Sequence, residues 1–284
     1  MRIRAAGWSH QGTVREKNDD HYCLGQWVEQ GALAALSLDD GSSFWTQYGL
    51  LAAVADGMGG YAGGALASRI VLETLSGHFY AEKRDGASAT ELIESLQKYF
   101  EQTQRVLEHA LRRKPELAEA GTTLAGVALL PPDVMVVFHA GDSRVLRASG
   151  GYLRPLTTDH TPVAADILSG RMSEEQASTL PVASQLTHSL GLEGDSSIEI
   201  GEERLWSPGD AFLMGSDGWH GLGRGLSQRA VRNIWRDNDR TSPDALVRQL
   251  VNQAVSEDGR DNATMVMVQL WNEAENAEER SDDE

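Results

Sequence analysis

The sequence predicts an α+β domain, and three observations carry that expectation. Short apolar runs are separated by glycine, proline and aspartate turns; two consecutive segments place apolar residues at helical spacing; and a strand-rich stretch beyond residue 120 reads as antiparallel hairpins. With 284 residues, 40% of them apolar and 24% charged, the chain can bury a sizeable core. One domain over 1–271 is the expected division.

The elements follow in order. Residues 2–9 and 21–28 read as short strands flanking a polar turn, and a Gly-, Ser- and Asp-rich insertion covers 31–46. Leu50–Ala55 is continuously apolar, which suits a buried strand, and it ends at Asp56-Gly57-Met58-Gly59-Gly60. Over 62–80, Leu66, Ile70, Val71, Leu75 and Phe79 recur at helical spacing, and the preceding glycines permit a tight strand-to-helix turn. A second helix is expected over 90–113. Ser88 and Glu91 have capping-box spacing, Leu92, Leu96, Tyr99, Val106 and Leu111 mark its apolar face, and Pro115 ends it.

Strands then follow at 122–130, 134–139 and 145–148, with a loop over 161–186 that carries a short helix near 173–178 and could cover a site. Strands resume at 198–205 and Ala211–Gly215, joined by a Ser-Pro-Gly-Asp turn of the kind that closes hairpins. Helices are expected over 226–235 and from the N-cap Ser242 to about 255, and 263–270 reads as a last strand with both faces partly covered. Residues 272–284, with seven acids against one arginine, read as a disordered acidic tail.

Composition narrows the function. Net charge is −17, from 25 Lys+Arg against 42 Asp+Glu, which argues against nucleic acid as a partner because phosphate backbones demand clustered cationic side chains. Cys23 is the single cysteine, so an internal disulfide, a cysteine zinc cluster and a C-x-x-C redox pair are excluded. The first 20 residues lack the apolar core of a signal peptide, and no run of about 18 apolar residues suggests a membrane span, so a cytoplasmic location is expected.

Acidic residues recur where strands end. Asp56, Asp142 and Asp217 follow apolar strands, Asp261 precedes one, and Asp19 and Asp20 precede another. Any one of them is explained by turn formation, since Asp tolerates left-handed backbone and bonds its own main chain. Gathered together, such carboxylates would repel one another without cations, and an all-oxygen, histidine-poor set suits Mg²⁺ or Mn²⁺ better than zinc.

The motifs Arg15-x-x-Asn18-Asp19-Asp20, Ala55-Asp56-Gly57-Met58-Gly59-Gly60, Gly121-Thr122-Thr123, Gly141-Asp142-Ser143-Arg144, Thr158-Asp159-His160, Ser216-Asp217-Gly218-Trp219 and Arg260-Asp261-Asn262-Ala263-Thr264 appear in an order and spacing that resembles the type 2C, metal-dependent protein phosphatases, bacterial ones in particular. The resemblance spans residues 2–270. It implies two stacked, mostly antiparallel sheets flanked by helices, a four-layer α-β-β-α sandwich with metals in a cleft at one end. It further implies that Asp56 bridges two Mn²⁺ or Mg²⁺ ions, that the Gly57 carbonyl binds one and that Asp217 and Asp261 hold the other. Asp20 and Asp19 would orient water, Asn262 would support the site, and Arg15 would grip the phosphate with its planar fork. Asp142 would either join Asp217 around a weaker third ion or merely cap its hairpin.

The implied activity is hydrolysis of phosphoserine and phosphothreonine on proteins by a hydroxide bridging the two ions, opposing a bacterial Ser/Thr kinase. The alternative is a non-catalytic phosphoprotein-binding module of the same fold. Three positions depart from the pattern: Met58 stands where animal relatives have the histidine thought to protonate the leaving group, His139 where Asn often precedes the Gly-Asp-Ser-Arg motif, and His188 where Arg often stands.

Overall fold

Apolar runs without a polar face need burial on both sides, and the arrangement of layers supplies it. The computed structural model describes residues 2–59, 63–191, 194–203, 206–238 and 241–271. One six-stranded sheet has the spatial order Tyr152–Pro155, Arg144–Ser149, Ala211–Gly215, Ala263–Trp271, Arg2–His10 and Leu33–Asp39. The other has the order Glu199–Glu203, Val134–Ala140, Leu124–Leu130, Leu50–Ala55, His21–Leu24 and Trp27–Glu29. All neighbours in both sheets pair antiparallel.

Ile3, Tyr22, Leu50, Val54, Val127, Phe212, Val266 and Val268 fill the space between the sheets. Helices Gly63–Ala81 and Ala89–Arg112 cover the outer face of the second sheet through Val71, Leu75, Phe79, Leu92 and Leu107. Helices Gln228–Asn238 and Pro243–Glu257 cover the first through Trp235, Leu246 and Leu250. The four layers are therefore helix, sheet, sheet, helix, as the resemblance implies. No helix among the described residues is long and apolar enough to cross a membrane.

Several elements form as their residues dictate. Ser88 accepts the Glu91 amide while the Glu91 carboxylate accepts the Ser88 amide, so both partners of the capping box are made. Leu50–Ala55 is buried at every position.

Four expectations need correction. Val106 is 45% exposed, and Thr103 and Leu107 lie on the buried face instead, because one residue of helix rotates a side chain by about 100°. The insertion over 31–46 holds a strand, Leu33–Asp39, at the edge of the first sheet and a helix, Ser43–Tyr48, capped by Ser42. The turn Ser207–Asp210 closes no hairpin: the strand before it belongs to one sheet and Ala211–Gly215 to the other. Residues 161–186 hold two short helices, Ala164–Leu168 and Glu174–Ser178, the latter with its own capping box from Ser173 and Gln176. The acidic tail at 272–284 lies outside the described residues.

Candidate metal centre

Both sheets end at the same side, and their ends bring the aspartates together. Asp56 and Asp142 leave the second sheet, Asp217 and Asp261 flank the central strands of the first, and all four line one cleft of about 300 Å³ with Arg15, Asp19, Gly57, Met58 and Asn262. Asp20 is placed differently. It is fully buried behind the cleft wall, where its Oδ2 accepts hydrogen bonds from the Ser216 hydroxyl at 2.8 Å and the Thr264 hydroxyl at 2.7 Å.

Each carboxylate stands on a braced backbone. The Asp56 amide donates to the Thr123 hydroxyl, and its carbonyl accepts from the Thr122 hydroxyl and the Thr123 amide, which explains the Gly-Thr-Thr motif as a clamp on that strand end. Gly57 and Gly64 meet backbone to backbone: a Cβ on Gly57 would lie 2.2 Å from the Gly64 carbonyl oxygen, so the helix Gly63–Ala81 can start this close only because both are glycine. Asn262 pins the arginine-bearing loop, accepting the Asp19 amide at 2.8 Å and donating to the carbonyls of Gln11 and Lys17.

The electrostatics follow from burial and like charge. Burial first, then the neighbouring Asp20, Asp217, Asp142 and Asp261, hold the Asp56 carboxyl well above the usual range. Burial likewise raises Asp142 to about 8, with Asp217 and Asp159 adding to it, and Asp20 to about 7, where the hydroxyls of Thr264 and Ser216 oppose the shift. Asp217 is also raised by burial, against the pull of Arg224. Negative charge gathered this tightly calls for cationic partners.

A divalent ion fits these residues. The donor set is all oxygen, and the buried Oδ1 of Asp19, which lines the cleft, has no hydrogen-bond partner among the described residues.

Two arginines reach into the acidic group. Arg15, its side chain 54% exposed, places Nη2 2.7 Å from Asp261 Oδ2. Arg224 places Nη1 2.6 Å from the same oxygen and 2.9 Å from Asp217 Oδ2. Sequence reasoning missed Arg224; its one signal is the Gly-Arg-Gly setting, which forms a tight reversal bridging back to Gly221. Ser216, Thr264 and Thr123 were present within quoted motifs but given no role. Ser184 and Leu186, from the segment over 161–186, complete the cleft wall.

The departures His139 and His188 lie elsewhere, on either side of His160. The rings of His139 and His160 stack with centroids 4.3 Å apart, and those of His160 and His188 lie 4.2 Å apart. His160 Nδ1 accepts the Gly141 amide and its carbonyl accepts the Thr187 amide, so it braces both the turn carrying Asp142 and the segment carrying Ser184 and Leu186.

Comparison with known proteins adds relatives to this geometry. The profile described as protein phosphatase 2C matches residues 34–262. The chain is 30% identical over 222 residues to protein phosphatase PhpP of Streptococcus pneumoniae, covering 76% of this chain and 84% of that one. It is 29% identical over 216 residues to the serine/threonine phosphatase stp of Listeria monocytogenes, covering 76% and 82%. Among solved structures it is similar to the catalytic domain of the serine/threonine protein phosphatase PstP in complex with two manganese ions, with a TM-score of 0.69 at 23% identity over 96% of this chain and all of that one.

Proposed function

The chain belongs to the protein phosphatase 2C family, and on that premise we propose that it hydrolyses phosphoserine and phosphothreonine on proteins at the cleft lined by Asp56, Asp142, Asp217 and Asp261. The observation that carries this reading is the convergence of those carboxylates from the ends of both sheets, beside the half-exposed Arg15 that pairs with Asp261. Asp56, the Gly57 carbonyl, Asp217 and Asp261 would hold two Mn²⁺ or Mg²⁺ ions, with Asp142 and Asp217 open to a weaker third, and these would supply Lewis acidity that makes water nucleophilic at neutral pH and screens the phosphate charge.

The remaining work belongs to the chain itself. Arg15 is exposed enough to swing from Asp261 to the non-reacting phosphate oxygens, which its fork can bind bidentately. Asp19, its amide fixed by Asn262, keeps a carboxylate at the cleft to orient water. Asp20 does not touch the cleft, so its part is positional: it ties Ser216, just before Asp217, to Thr264, close after Asp261, and lies against Asp56. Met58 offers no proton to the leaving group. Ser184 and Leu186 face the residues that flank the phosphorylated side chain.

The substrates we propose are phosphoproteins made by a cognate Ser/Thr kinase, in the cytoplasm. The test is turnover of p-nitrophenyl phosphate and a phosphothreonine peptide with and without Mn²⁺, alongside Asp56→Asn. Inert protein in the presence of metal, or full activity in the variant, overturns the proposal. One observation favours the other reading, a phosphoprotein-binding module: Arg15 and Arg224 already bond Asp261 and Asp217. Tight phosphopeptide binding without phosphate release would establish that reading.

A further inference from the structure

A second group of ligand-type side chains stands outside the aspartate cleft. His139, at the end of Val134–Ala140, His160, in the segment that follows Tyr152–Pro155, and Glu199, at the start of Glu199–Glu203, place one ligand atom each within 4.8 Å of one another. His160 Nε2 lies 3.4 Å from Glu199 Oε2 and His139 Nε2 lies 4.0 Å from the same oxygen. A tetrahedral ion with bonds of about 2.0–2.1 Å holds its ligand atoms about 3.4 Å apart, so one edge is already in place. Glu199, 67% exposed, is free to close the other. His188 lies against His160 and is itself faced by Asp195, whose Oδ2 is 3.5 Å from its Nε2.

From this geometry we infer that His139, His160 and Glu199 form a site for a borderline divalent ion of the Zn²⁺ type, distinct from the oxygen-only aspartate cleft. Two imidazoles and one carboxylate are a nitrogen-rich set that prefers zinc, nickel or copper to magnesium. Burial lowers the proton affinity of the His139 and His160 rings, which favours their neutral forms; His139 Nε2–H donates to the Thr158 carbonyl and His160 Nε2–H faces Glu199, so an ion bound at both rings displaces both protons to Nδ1. The Thr158 carbonyl, 2.9 Å from His139 Nε2, accepts that ring's hydrogen bond and, once the proton is displaced, is an oxygen donor beside the ion. Two of the three histidines of the stack, His139 and His188, are the positions where this chain departs from its family's pattern.

The site is wired to the cleft by a tautomer. His160 Nδ1 accepts the Gly141 amide, so the neutral ring carries its proton on Nε2, facing Glu199. An ion on Nε2 requires that proton to move to Nδ1, where it meets the Gly141 N–H donor to donor. Binding at His160 and the Gly141 hydrogen bond therefore exclude each other. Occupancy removes one of the two hydrogen bonds that tie His160 to the turn carrying Asp142, leaving the His160 amide on the Gly141 carbonyl, and Zn²⁺ becomes a partial inhibitor of the proposed phosphatase, by about two- to tenfold if the effect equals one neutral hydrogen bond.

The regulatory half of this inference rests on the proposed function; the binding half does not. The experiment is Zn²⁺ titration of the full chain saturated with Mn²⁺, read by bound zinc per chain and by ¹⁵N chemical shifts of the histidine rings. One zinc beyond the manganese, a switch of His160 from the Nε2–H to the Nδ1–H form, and at least tenfold weaker binding in both Glu199→Gln and His139→Asn are expected. Glu199→Gln changes an exposed side chain and guards against a folding defect in the buried His139 variant. No zinc beyond the aspartate cleft, or binding indifferent to both substitutions, overturns the site. Repeating the ring spectra in Asp56→Asn separates it from the phosphatase reading, since the tautomer switch needs no turnover.

Discussion

In the aspartate cleft, negative charge is gathered from the ends of both sheets and met by two arginines. Around His160, by contrast, imidazole rings are stacked against one exposed carboxylate. The two regions share the Gly141-Asp142 turn, yet they solve opposite problems. Carboxylates in a buried pit repel one another and must have cationic partners, whereas neutral imidazoles can wait beside one another at little electrostatic cost. Hard ions belong in the first and borderline ions in the second.

The largest way to break this comparison is Asp56→Asn, which removes the carboxylate proposed to bridge both ions. A loss of several kcal/mol of charge stabilisation corresponds to a fall in turnover on the order of 10³-fold. Phosphatase assays at saturating Mn²⁺ would read it, while zinc at the histidine stack should be untouched.

A second test uses proton affinity. His220, buried beside Arg144 with its Nδ1 bonded to the Leu226 carbonyl, is held down to about 4, by burial first and then by the arginine. A depressed folded value means that stability is present above the unfolded pKa of about 6.5 and is lost as pH falls from there towards about 4, by up to about 3 kcal/mol. His220→Gln should flatten the acid limb of a melting curve measured from pH 7 to pH 4. Parallel limbs for the two proteins would refute the assignment.

Asn262→Ala removes three hydrogen bonds that hold the 11–19 loop. Stability should drop by about 1–3 kcal/mol and the Michaelis constant should rise through Arg15 more than metal affinity falls. The smallest effect is expected at Arg224. A divalent ion and Arg224 Nη1 draw on the same oxygens of Asp217 and Asp261, so Arg224→Gln should tighten Mn²⁺ binding by a few fold, as suits a part-exposed ion pair of about 1 kcal/mol. Unchanged calorimetric affinity with a raised Michaelis constant would instead make Arg224 a phosphate ligand.

What could be read from the chain depended on range. Leu50–Ala55, Ala211–Gly215 and the Ser88–Glu91 cap are local patterns, and the structure contains them as expected. The acidic strand ends were legible as types, but their meeting was not, because Asp56 and Asp217 come from different sheets. The Ser207–Asp210 turn carries hairpin chemistry and nonetheless passes between sheets, since pairing partners are chosen by burial rather than by turn residues. Asp20 looked like a cleft residue from its motif. Its burial follows from Ser216 and Thr264, which no local signal joins to it.

That last bond also sets a clock. Asp20 and Thr264 are 244 positions apart, and at a synthesis rate of about 5–20 residues per second the ribosome spends about 12–50 s between them. Throughout that interval the second sheet's aspartates have no partners from the strand Ala263–Trp271 or from Asp261. Until that strand is made, a nascent chain lacks both Asp261 and the Thr264 hydroxyl that holds Asp20, so the cleft is completed only by the strand Ala263–Trp271.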